Sequence, residues 1–408
     1  MKAYRRTAVN RRAFLAAAAA PSAAPGWLTG TSSGGSASDR IRLGQIGCGG
    51  RSRDHLAEVV RSGENAAIVA VCDVWRVNRE ERAAEIERAF HAAPRQTARY
   101  QELLAMKDVD AVLIATPDMT HPRILADAVA AGKDVYVEKP FGVNFADAKM
   151  AWQAVKRTKQ VVQVGTQRRS DPACIGAARA VHSGILGKIT RVEMAVNFQE
   201  PRWRKDPGNV RPEDVDWEAF QFEGRIRGPF NPRKLREWQL FRETTNGIAG
   251  LWMCHLIDLA PWFLQDPYPA HATAMGGVYL WKDGRETSDV FQAMVEYNDC
   301  LVTFAMSLTN GAGSRNVWYG TKGTLDLDRQ RISGDGSRDP DRILQVVDVE
   351  KPQVESHMAN FLRCVRTRET PRASVDDGFR HAVAGCMAAV SLETGRRVGF
   401  DRRNLELL

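Results

Sequence analysis

A cluster of glycines near residue 50 has the composition and spacing of a phosphate-binding loop. Gly47, Gly49 and Gly50 follow the apolar run 41–46 and precede a segment of helical character. Gly47 permits a sharp turn out of a strand, and Gly49 lets backbone amides approach a pyrophosphate at the N-terminus of the following helix. Ser52 stands where the pattern usually has its third glycine. The cluster predicts a dinucleotide site.

A carboxylate at the end of the second apolar strand supports this prediction. The strand covers 68–72 and ends at Asp73, where an acidic side chain accepts hydrogen bonds from the ribose hydroxyls of a dinucleotide. Because a carboxylate repels a ribose 2′-phosphate, Asp73 favours NAD. Arg51, Arg53 and Arg76 lie close by in the sequence and would compensate for that phosphate, so NADP is the alternative cofactor.

The elements that must position these residues are strands and helices that alternate up to residue 165. This alternation specifies an α/β fold with a doubly wound parallel sheet, in which the ligand lies at the carboxyl ends of the strands. We therefore expect the residues at these ends to face one crevice, in a domain that covers 39–165. The predicted strand ends are Gly47, Asp73, Thr116, Glu138 and Gly165.

The amino-acid composition argues against several other functions. The chain of 408 residues has a net charge of +8, but five of its basic residues lie in 1–38, which contains no acidic residue. The remainder is only weakly basic, so we predict no nucleic-acid partner. The seven cysteines are scattered without Cys-x-x-Cys spacing and do not indicate a disulfide framework. No cluster of His, Asp and Glu at ligand spacing supports a metal site.

Residues 1–38 are predicted to be an export signal followed by a flexible tether. Arg11 and Arg12 precede Phe14, Leu15 and a run of alanines, which resembles a twin-arginine signal. The apolar run is too short to be a stable membrane span. We therefore predict a periplasmic or otherwise exported protein. The alternative is a disordered alanine-rich arm.

Several short motifs together resemble the Gfo/Idh/MocA family of oxidoreductases. The motifs are the glycine loop 47–50, Cys72-Asp73-Val74, Thr116-Pro117-Asp118 with Thr120-His121, Glu138-Lys139-Pro140, and Val164-Gly165-Thr166-Gln167-Arg168-Arg169. The Glu-Lys-Pro tripeptide after the fourth predicted strand is the most specific of them. The resemblance extends from about residue 40 to the C-terminus. It implies a Rossmann domain, a second domain, and an oxidoreductase that uses NAD or NADP.

The resemblance also implies roles for individual residues. Lys139 would lie beside the nicotinamide and contact the reacting oxygen of the substrate, whereas without the resemblance it would be interpreted as a solvated charge. We predict catalysis by Lys139 and His255, and substrate binding by Lys139, Arg169, Trp203 and His255. We predict cofactor binding by Gly47, Cys48, Gly49, Gly50, Arg51, Asp73, Thr116, Pro117, His121, Glu138, Lys139 and Gln167.

Residues 166–408 are predicted to form an α+β domain with an open, largely antiparallel sheet. Helices would cover one face of this sheet and leave the other free to form a homo-oligomer. Two C-terminal helices, 354–367 and 376–394, are expected to pack back across the chain. Segment 201–238 is long and irregular, which is typical of a binding loop. Its aromatic residues either stack on sugar rings or form a small core of their own: Trp203, Trp217, Phe230 and Trp238.

His255 lies in the predicted helix 250–258, where the family usually has an aspartate one turn before the histidine. Leu251 occupies that position here. Without a neighbouring carboxylate, His255 should lose its proton more easily, or use another partner such as Asp258. The alternative is a structural histidine. His255 and Asp258 are too few ligands for a metal site.

Three functions are consistent with these residues. The first is an exported oxidoreductase that removes hydride from a sugar or polyol hydroxyl with tightly bound NAD or NADP. The second is a redox-neutral glycosidase, in which the nucleotide transiently oxidises the sugar before the aglycone is eliminated. The third is a non-catalytic nucleotide-binding sensor or scaffold, against which the retention of Lys139 and His255 argues.

Overall fold

The computed structural model describes residues 39–408, and the predicted signal and tether lie outside the described residues. The first sheet has six parallel strands: β1 (Ile41–Ile46), β2 (Ala66–Cys72), β3 (Arg95–Thr97), β4 (Ala111–Ile114), β5 (Asp134–Glu138) and β6 (Val162–Gly165). Their spatial order is β3-β2-β1-β4-β5-β6, so the direction of winding reverses between β1 and β4. Dinucleotides bind at such a switch point. The predicted α/β fold is confirmed, although the sequence does not predict the short edge strand β3.

Five helices connect these strands: α1 (Gly50–Arg61), α2 (Arg76–Phe90), α3 (Tyr100–Leu104), α4 (His121–Ala130) and α5 (Phe145–Lys156). Buried residues of α1 and α2 pack on one face of the sheet, and those of α4 and α5 pack on the other. Strands β4 and β5 are therefore buried at every position, as is typical of a parallel sheet between two helical layers. α1 begins at Gly50, the last residue of the glycine loop 47–50.

The second sheet has ten strands: β7 (Ile189–Asn197), β8 (His271–Gly277), β9 (Val290–Glu296), β10 (Leu301–Ser307), β11 (Arg315–Gly320), β12 (Thr324–Asp326), β13 (Arg331–Ser333), β14 (Val347–Asp348), β15 (Val398–Asp401) and β16 (Glu406–Leu407). Their order is β14-β13-β12-β11-β7-β10-β9-β8-β15-β16. Only β7 and β10 pair in parallel among these strands, so the largely antiparallel prediction is confirmed. A connection of residues 278–289 joins β8 to β9.

Seven further helices accompany this sheet: α6 (Pro172–His182), α7 (Trp217–Gln221), α8 (Pro232–Arg236), α9 (Cys254–Ile257), α10 (Leu259–Phe263), α11 (His357–Thr367) and α12 (Val375–Thr394). A capping box of Ser374 and Asp377 begins α12, which packs against α5 and β8. Phe361 and Leu362 of α11 share a core with Leu56 of α1. The last helices thus contact the first sheet, while the domain boundary after residue 165 stays a prediction.

One face of the second sheet is not covered by helices. Met275, Met294 and Leu301 lie on this face in the adjacent strands β8, β9 and β10, with 80%, 48% and 40% of their surface exposed. Across residues 39–408, no helix combines the length and the apolar character that crossing a bilayer requires.

Candidate functional site

A cavity of about 1010 Å³ lies at the carboxyl ends of the first sheet's strands. Segment 201–238, which we call the roof segment, lines its opposite side together with the turn that carries His255. All but one of the predicted site residues line this cavity, and Arg169 is the exception. The lining residues among them are Gly47, Cys48, Gly49, Gly50, Arg51, Asp73, Thr116, Pro117, His121, Glu138, Lys139, Gln167, Trp203 and His255.

The glycine loop leaves space for a ligand rather than for protein. Gly47 has φ +87°, and a Cβ there would lie 2.4 Å from the carbonyl oxygen of Ala115, so only glycine fits. A Cβ on Gly49 or Gly50 would meet no protein atom within 4 Å. Packing therefore does not require glycine at these two positions, whereas close approach of a phosphate to the N-terminus of α1 does. The loop fits the pyrophosphate of a dinucleotide.

Asp73 holds the glycine loop in place. Its Oδ2 accepts the N–H of Cys48 at 2.7 Å, and its Oδ1 accepts the N–H of Trp75 at 2.8 Å. Burial raises the pKa of Asp73, against the effect of these two hydrogen bonds. Carboxylate oxygens have further lone pairs, so the same side chain can also accept ribose hydroxyls, as predicted.

Glu138, at the carboxyl end of β5, hydrogen-bonds several neighbouring side chains. Its Oε1 contacts Arg51 Nε at 2.6 Å, His55 Nε2 at 3.1 Å and Gln167 Nε2 at 3.1 Å. Burial alone would raise the pKa of Glu138, but the hydrogen bonds and charges of His55 and Arg51 outweigh it and hold this pKa well below its usual range. A Cβ on Gly165 would lie 2.7 Å from Glu138 Oε2, which explains the glycine at that strand end.

His121 links two backbone turns at the floor of the cavity. Its Nδ1 lies 2.9 Å from the carbonyl oxygen of Pro140, and its Nε2 lies 2.9 Å from that of Thr116. The Lys139–Pro140 peptide bond is cis. His121 therefore fixes the loop after β4 relative to the loop that carries Lys139.

Lys139 and His255 line the same part of the cavity. Lys139 Nζ donates a hydrogen bond of 3.3 Å to the carbonyl oxygen of Leu251. That residue lies in a π-helical turn, Ala249–Met253, which runs directly into α9. Neither ring nitrogen of His255 has a hydrogen-bond partner within residues 39–408. Burial, and then the charge of Lys139, lower the pKa of His255 well below its usual value, so the ring is neutral near pH 7.

The predicted partnership between His255 and Asp258 is wrong. Asp258 is fully buried and accepts a hydrogen bond of 2.8 Å from Arg169 Nε, and its Oδ1 lies 3.5 Å from His381 Nδ1. His381 Nε2 in turn accepts the N–H of Phe141 at 3.3 Å. Asp258 therefore connects the helix of His255 to the loop that follows Lys139.

The predicted contact of Arg169 with substrate also disagrees with the structure. Only 5% of Arg169 is exposed, because its guanidinium is enclosed by two carboxylates and an aromatic ring. It pairs with Asp258 and, at 3.1 Å, with Asp377, and it lies 5.3 Å from the centre of the Trp262 ring. Arg169 therefore forms buried ion pairs in the protein interior and does not line the cavity.

The aromatic residues of the roof segment divide between the two roles left open by the sequence. Trp203 and Trp238 line the cavity. Trp217 instead stacks on Phe220 at 5.0 Å and meets Phe230 edge-on at 5.4 Å, forming a small core within the segment. The sequence does not distinguish these pairs, because all four residues share the same irregular, Pro- and Arg-rich context.

The predicted site omits several cavity residues, among them Trp75, Asp118, Lys205 and Arg236. Asp118 belongs to the motif Thr116-Pro117-Asp118 and Trp75 lies two residues after Asp73, so position in or beside a motif was an available signal. Asp118 is 2% exposed, accepts a hydrogen bond of 2.7 Å from Thr245 Oγ1, and has a pKa raised by burial. Lys205 and Arg236 belong to the roof segment and have no such signal. In the part of the chain that the structure describes, no three His, Cys, Asp or Glu residues are grouped to hold a metal ion.

Two family models match the chain. Residues 41–166 match "Oxidoreductase family, NAD-binding Rossmann fold", and residues 218–326 match "GFO/IDH/MocA C-terminal domain". The first match identifies residues 41–166 as an NAD-binding Rossmann domain and confirms NAD as the predicted cofactor.

Several curated relatives are inositol dehydrogenases. Inositol 2-dehydrogenase 1 of Saccharopolyspora erythraea is 34% identical over 150 residues, which are 36% of this chain and 43% of that protein, less than half of its length. The scyllo-inositol 2-dehydrogenase (NAD(+)) of Bacillus subtilis is 32% identical over 36% of this chain and 42% of its own. An inositol 2-dehydrogenase of Acidothermus cellulolyticus is 28% identical over 89% of this chain and 96% of its own.

Solved structures share the fold at low sequence identity. Levoglucosan dehydrogenase in complex with NADH and levoglucosan has a TM-score of 0.67 at 18% identity, over 88% of this chain and 99% of that one. The WlbA dehydrogenase of Bordetella pertussis, in complex with NADH and UDP-GlcNAcA, has a TM-score of 0.67 at 19% identity, over 89% and 99%.

Proposed function

We propose that the chain, whose residues 41–166 and 218–326 match models of the GFO/IDH/MocA oxidoreductase family, oxidises a hydroxyl group of a sugar or polyol with NAD. The observation that carries this proposal is the placement of Lys139 and a neutral His255 in the cavity that also contains the glycine loop. Inositol 2-dehydrogenases among the relatives support a polyhydroxylated substrate.

The strand-end residues would hold the cofactor. The amides of the glycine loop and the N-terminus of α1 suit its pyrophosphate, and Asp73 suits its ribose hydroxyls. NAD, when bound, supplies the acceptor for the hydride that leaves the carbinol carbon.

Lys139 and His255 would share the proton chemistry. Lys139 Nζ keeps one proton directed at the carbonyl oxygen of Leu251, which leaves its other protons to hydrogen-bond the substrate oxygen. A neutral imidazole with no protein partner in residues 39–408 can accept the hydroxyl proton at one ring nitrogen. The buried environment that lowers the pKa of His255 also keeps it in the form that accepts a proton.

The experiment is a substrate screen of the purified full chain. Inositols, hexoses and sugar acids are incubated with NAD while NADH absorbance is recorded, and aryl glycosides are tested in parallel for aglycone release. The proposal predicts NADH formation with at least one of these polyols, hexoses or sugar acids. Aglycone release without net NADH would favour the glycosidase, for which residues 39–408 provide no specific observation. Nucleotide binding without either reaction would favour the sensor.

We also propose that the protein is exported. The paired arginines at 11 and 12 and the following apolar run support this location. Fractionation of a bacterium that expresses the full chain and has a twin-arginine export pathway tests it, because replacement of both arginines by lysine should retain the protein in the cytoplasm.

We further propose a homo-oligomer built on the uncovered face of the second sheet. The exposed apolar side chains of Met275, Met294 and Leu301 support it, since monomeric proteins rarely expose such rows. Light scattering tests it: Met294→Lys should shift the mass toward the monomer, and an unchanged mass would contradict this interface.

A further inference from the structure

Two cations of the roof segment face the cavity without an acidic partner. Most basic residues of this segment are paired: Arg204 lies 3.5 Å from Glu237, and Arg233 contacts the same carboxylate. Lys205 and Arg236 line the cavity and make no ion pair with any residue from 39 to 408. Lys205 is exposed and Arg236 is half-buried; the carboxylate near Lys205 is that of Glu237, which already pairs with Arg204 and Arg233, so this wall carries excess positive charge.

Arg236 is held in a defined position by an aromatic ring. Its guanidinium lies 5.0 Å from the centre of the Trp75 ring, in a cation–π contact between the roof segment and the loop after β2. The backbone of Trp75 also bridges that of Val215. The guanidinium is therefore fixed by packing rather than by a carboxylate.

Three buried polar atoms of cavity-lining residues lack hydrogen-bond partners in the described chain. They are Nε of Arg236, Nε1 of Trp75 and Oε1 of Gln239. Buried polar atoms in folded proteins nearly always have a partner. Two of these atoms are donors and one is an acceptor, so the corner where the roof segment meets Trp75 is the part of the cavity lining whose polar groups the protein leaves unsatisfied.

The backbone of the roof segment brings Lys205 to the rim of the cavity. Trp203 adopts φ +65°, which is unfavourable for a bulky side chain, and it lines the cavity together with Lys205. Such local strain tends to occur at functional sites. The N–H of Lys205 donates a hydrogen bond of 2.8 Å to Glu237 Oε1, which anchors the turn. Lys205 is exposed to solvent overall. Desolvation of its ammonium group, and then the charge of Arg236, nevertheless lower the pKa of Lys205.

We propose that Trp75, Trp203, Lys205, Arg236 and Gln239 form a subsite, here called the acid subsite, for the carboxylate or phosphate of an acidic sugar. The two cations bind the anion, and the tryptophans and Gln239 contact the sugar ring and its hydroxyls. This inference rests on the proposed function and names its substrate class: sugar acids or sugar phosphates rather than neutral polyols.

A 2′-phosphate of NADP is the other source of an anionic group near Trp75. Asp73, two residues before Trp75, disfavours this assignment because its carboxylate would repel the phosphate. The amides of the glycine loop would bind the pyrophosphate of the cofactor. The substrate is therefore the better source of the anion.

The test is calorimetric binding to the purified holoprotein, which requires no turnover. The probes are the matched pairs D-galacturonate and D-galactose, and D-glucuronate and D-glucose, with D-glucose 6-phosphate to distinguish phosphate from carboxylate. We expect at least one anionic probe to bind at least about tenfold more tightly than its neutral partner, with an advantage that falls as salt rises. Equal affinity within all the pairs would overturn the proposal.

Variants assign any such preference to the acid subsite. Arg236→Gln and Lys205→Gln should each reduce the preference for the anionic probe about tenfold or more, while neutral sugars are little affected. Arg227→Gln is the matched control, an exposed arginine of the same segment that does not line the cavity. If Arg236→Gln does not fold, Lys205→Gln at the exposed rim and Arg236→Lys decide the question. An unchanged preference in Lys205→Gln and in the folding Arg236 variant would overturn the assignment.

Two further outcomes separate this inference from its alternatives. If Arg236→Gln weakens NADP binding but leaves the preference for the acidic probe intact, the cation serves the cofactor and the proposal is wrong. If no sugar reduces NAD, yet an acidic probe binds through Lys205 and Arg236, the proposed function fails while the acid subsite stands.

Discussion

The two walls of the cavity differ in how far the protein itself satisfies their polar groups. On the strand-end wall, the side-chain oxygens or ring nitrogens of Asp73, His121 and Glu138 all have protein partners. Where the roof segment meets Trp75, buried atoms of Trp75, Arg236 and Gln239 have none in residues 39–408. The protein itself thus satisfies the polar groups of the wall assigned to the cofactor, whereas it leaves polar groups of the other wall without partners.

The largest effect should follow removal of the Lys139 ammonium group from the strand-end wall. Lys139→Met keeps the length of the side chain but cannot hydrogen-bond the substrate oxygen, so we expect turnover to fall about a thousandfold or more. Nucleotide affinity should change little, because the phosphate and ribose contacts lie elsewhere. Steady-state kinetics and a nucleotide titration measure both quantities. A variant that retains a tenth of the activity would remove Lys139 from the mechanism.

Breaking the buried network beneath this wall should mainly cost stability. Asp258→Asn leaves Arg169 with one carboxylate fewer in a fully buried site, and we expect the free energy of unfolding to fall by about 3 kcal/mol or more. Denaturant unfolding measures this change. Asp299→Asn, the same substitution at an exposed ion pair, is the control and should be nearly neutral. If the two variants were equally stable, the network would not hold the site together.

Asp73→Ala should weaken NAD binding about tenfold or more, because the loss affects both the ribose contact and the N–H of Cys48. NADP should be weakened less, since the repulsion of its 2′-phosphate also disappears. Competitive titration of the two nucleotides gives the ratio. A preference for NADP in the unmodified protein would overturn the role assigned to Asp73.

The pH dependence of kcat/KM reports on His255. Because burial lowers its pKa, the imidazole stays neutral to lower pH than usual, and the acidic limb should lie below about 6.5. Leu251→Asp places a carboxylate one turn away, which favours the imidazolium and should move the limb to higher pH. His255→Asn is the control and should lack this limb. An unmoved limb in Leu251→Asp would mean that another group titrates.

The smallest effect is expected for the ion pair between exposed Arg76 and buried Asp214, because Arg211 still pairs with Asp214 when the Arg76 charge is removed. Arg76 of α2 contacts Asp214 of the roof segment, and Arg76→Gln should speed NAD dissociation by no more than about twofold. Displacement of bound NAD in a stopped-flow instrument measures the rate. A much larger increase would show that this pair, rather than the packing of Trp75 and Arg236, keeps the roof segment closed.

The same comparison explains what the sequence predicts and what it does not. The glycine loop, Asp73 and Glu138-Lys139-Pro140 are found from local patterns, because each follows a strand whose period and end are visible in the chain. Arg236 meets Trp75 only after the roof segment folds back over 160 residues of chain, and no local pattern encodes that contact.

The two wrong predictions, substrate contact by Arg169 and pairing of His255 with Asp258, have equally local causes. Arg169 lies just after a strand end, which is why the sequence suggests a cavity residue. The turn of residues 167–170 instead directs its side chain into the interior, where it pairs with Asp258 and Asp377. Asp258 lies three residues after His255, but its carboxylate pairs with Arg169 and His381 instead. Spacing identifies helix neighbours and does not decide which of them a buried cation will attract.

The most direct test of the central claim, that the cofactor and the reacting hydroxyl meet at Lys139 and His255, is a single-turnover experiment. The purified protein is loaded with one equivalent of NAD, freed of excess nucleotide, mixed with the sugar that gives the strongest response, and followed by NADH fluorescence. The account predicts a rise to about one NADH per site in the unmodified protein and none in Lys139→Met with the same nucleotide content. Equal rises in both proteins, or no rise with any sugar, would contradict it.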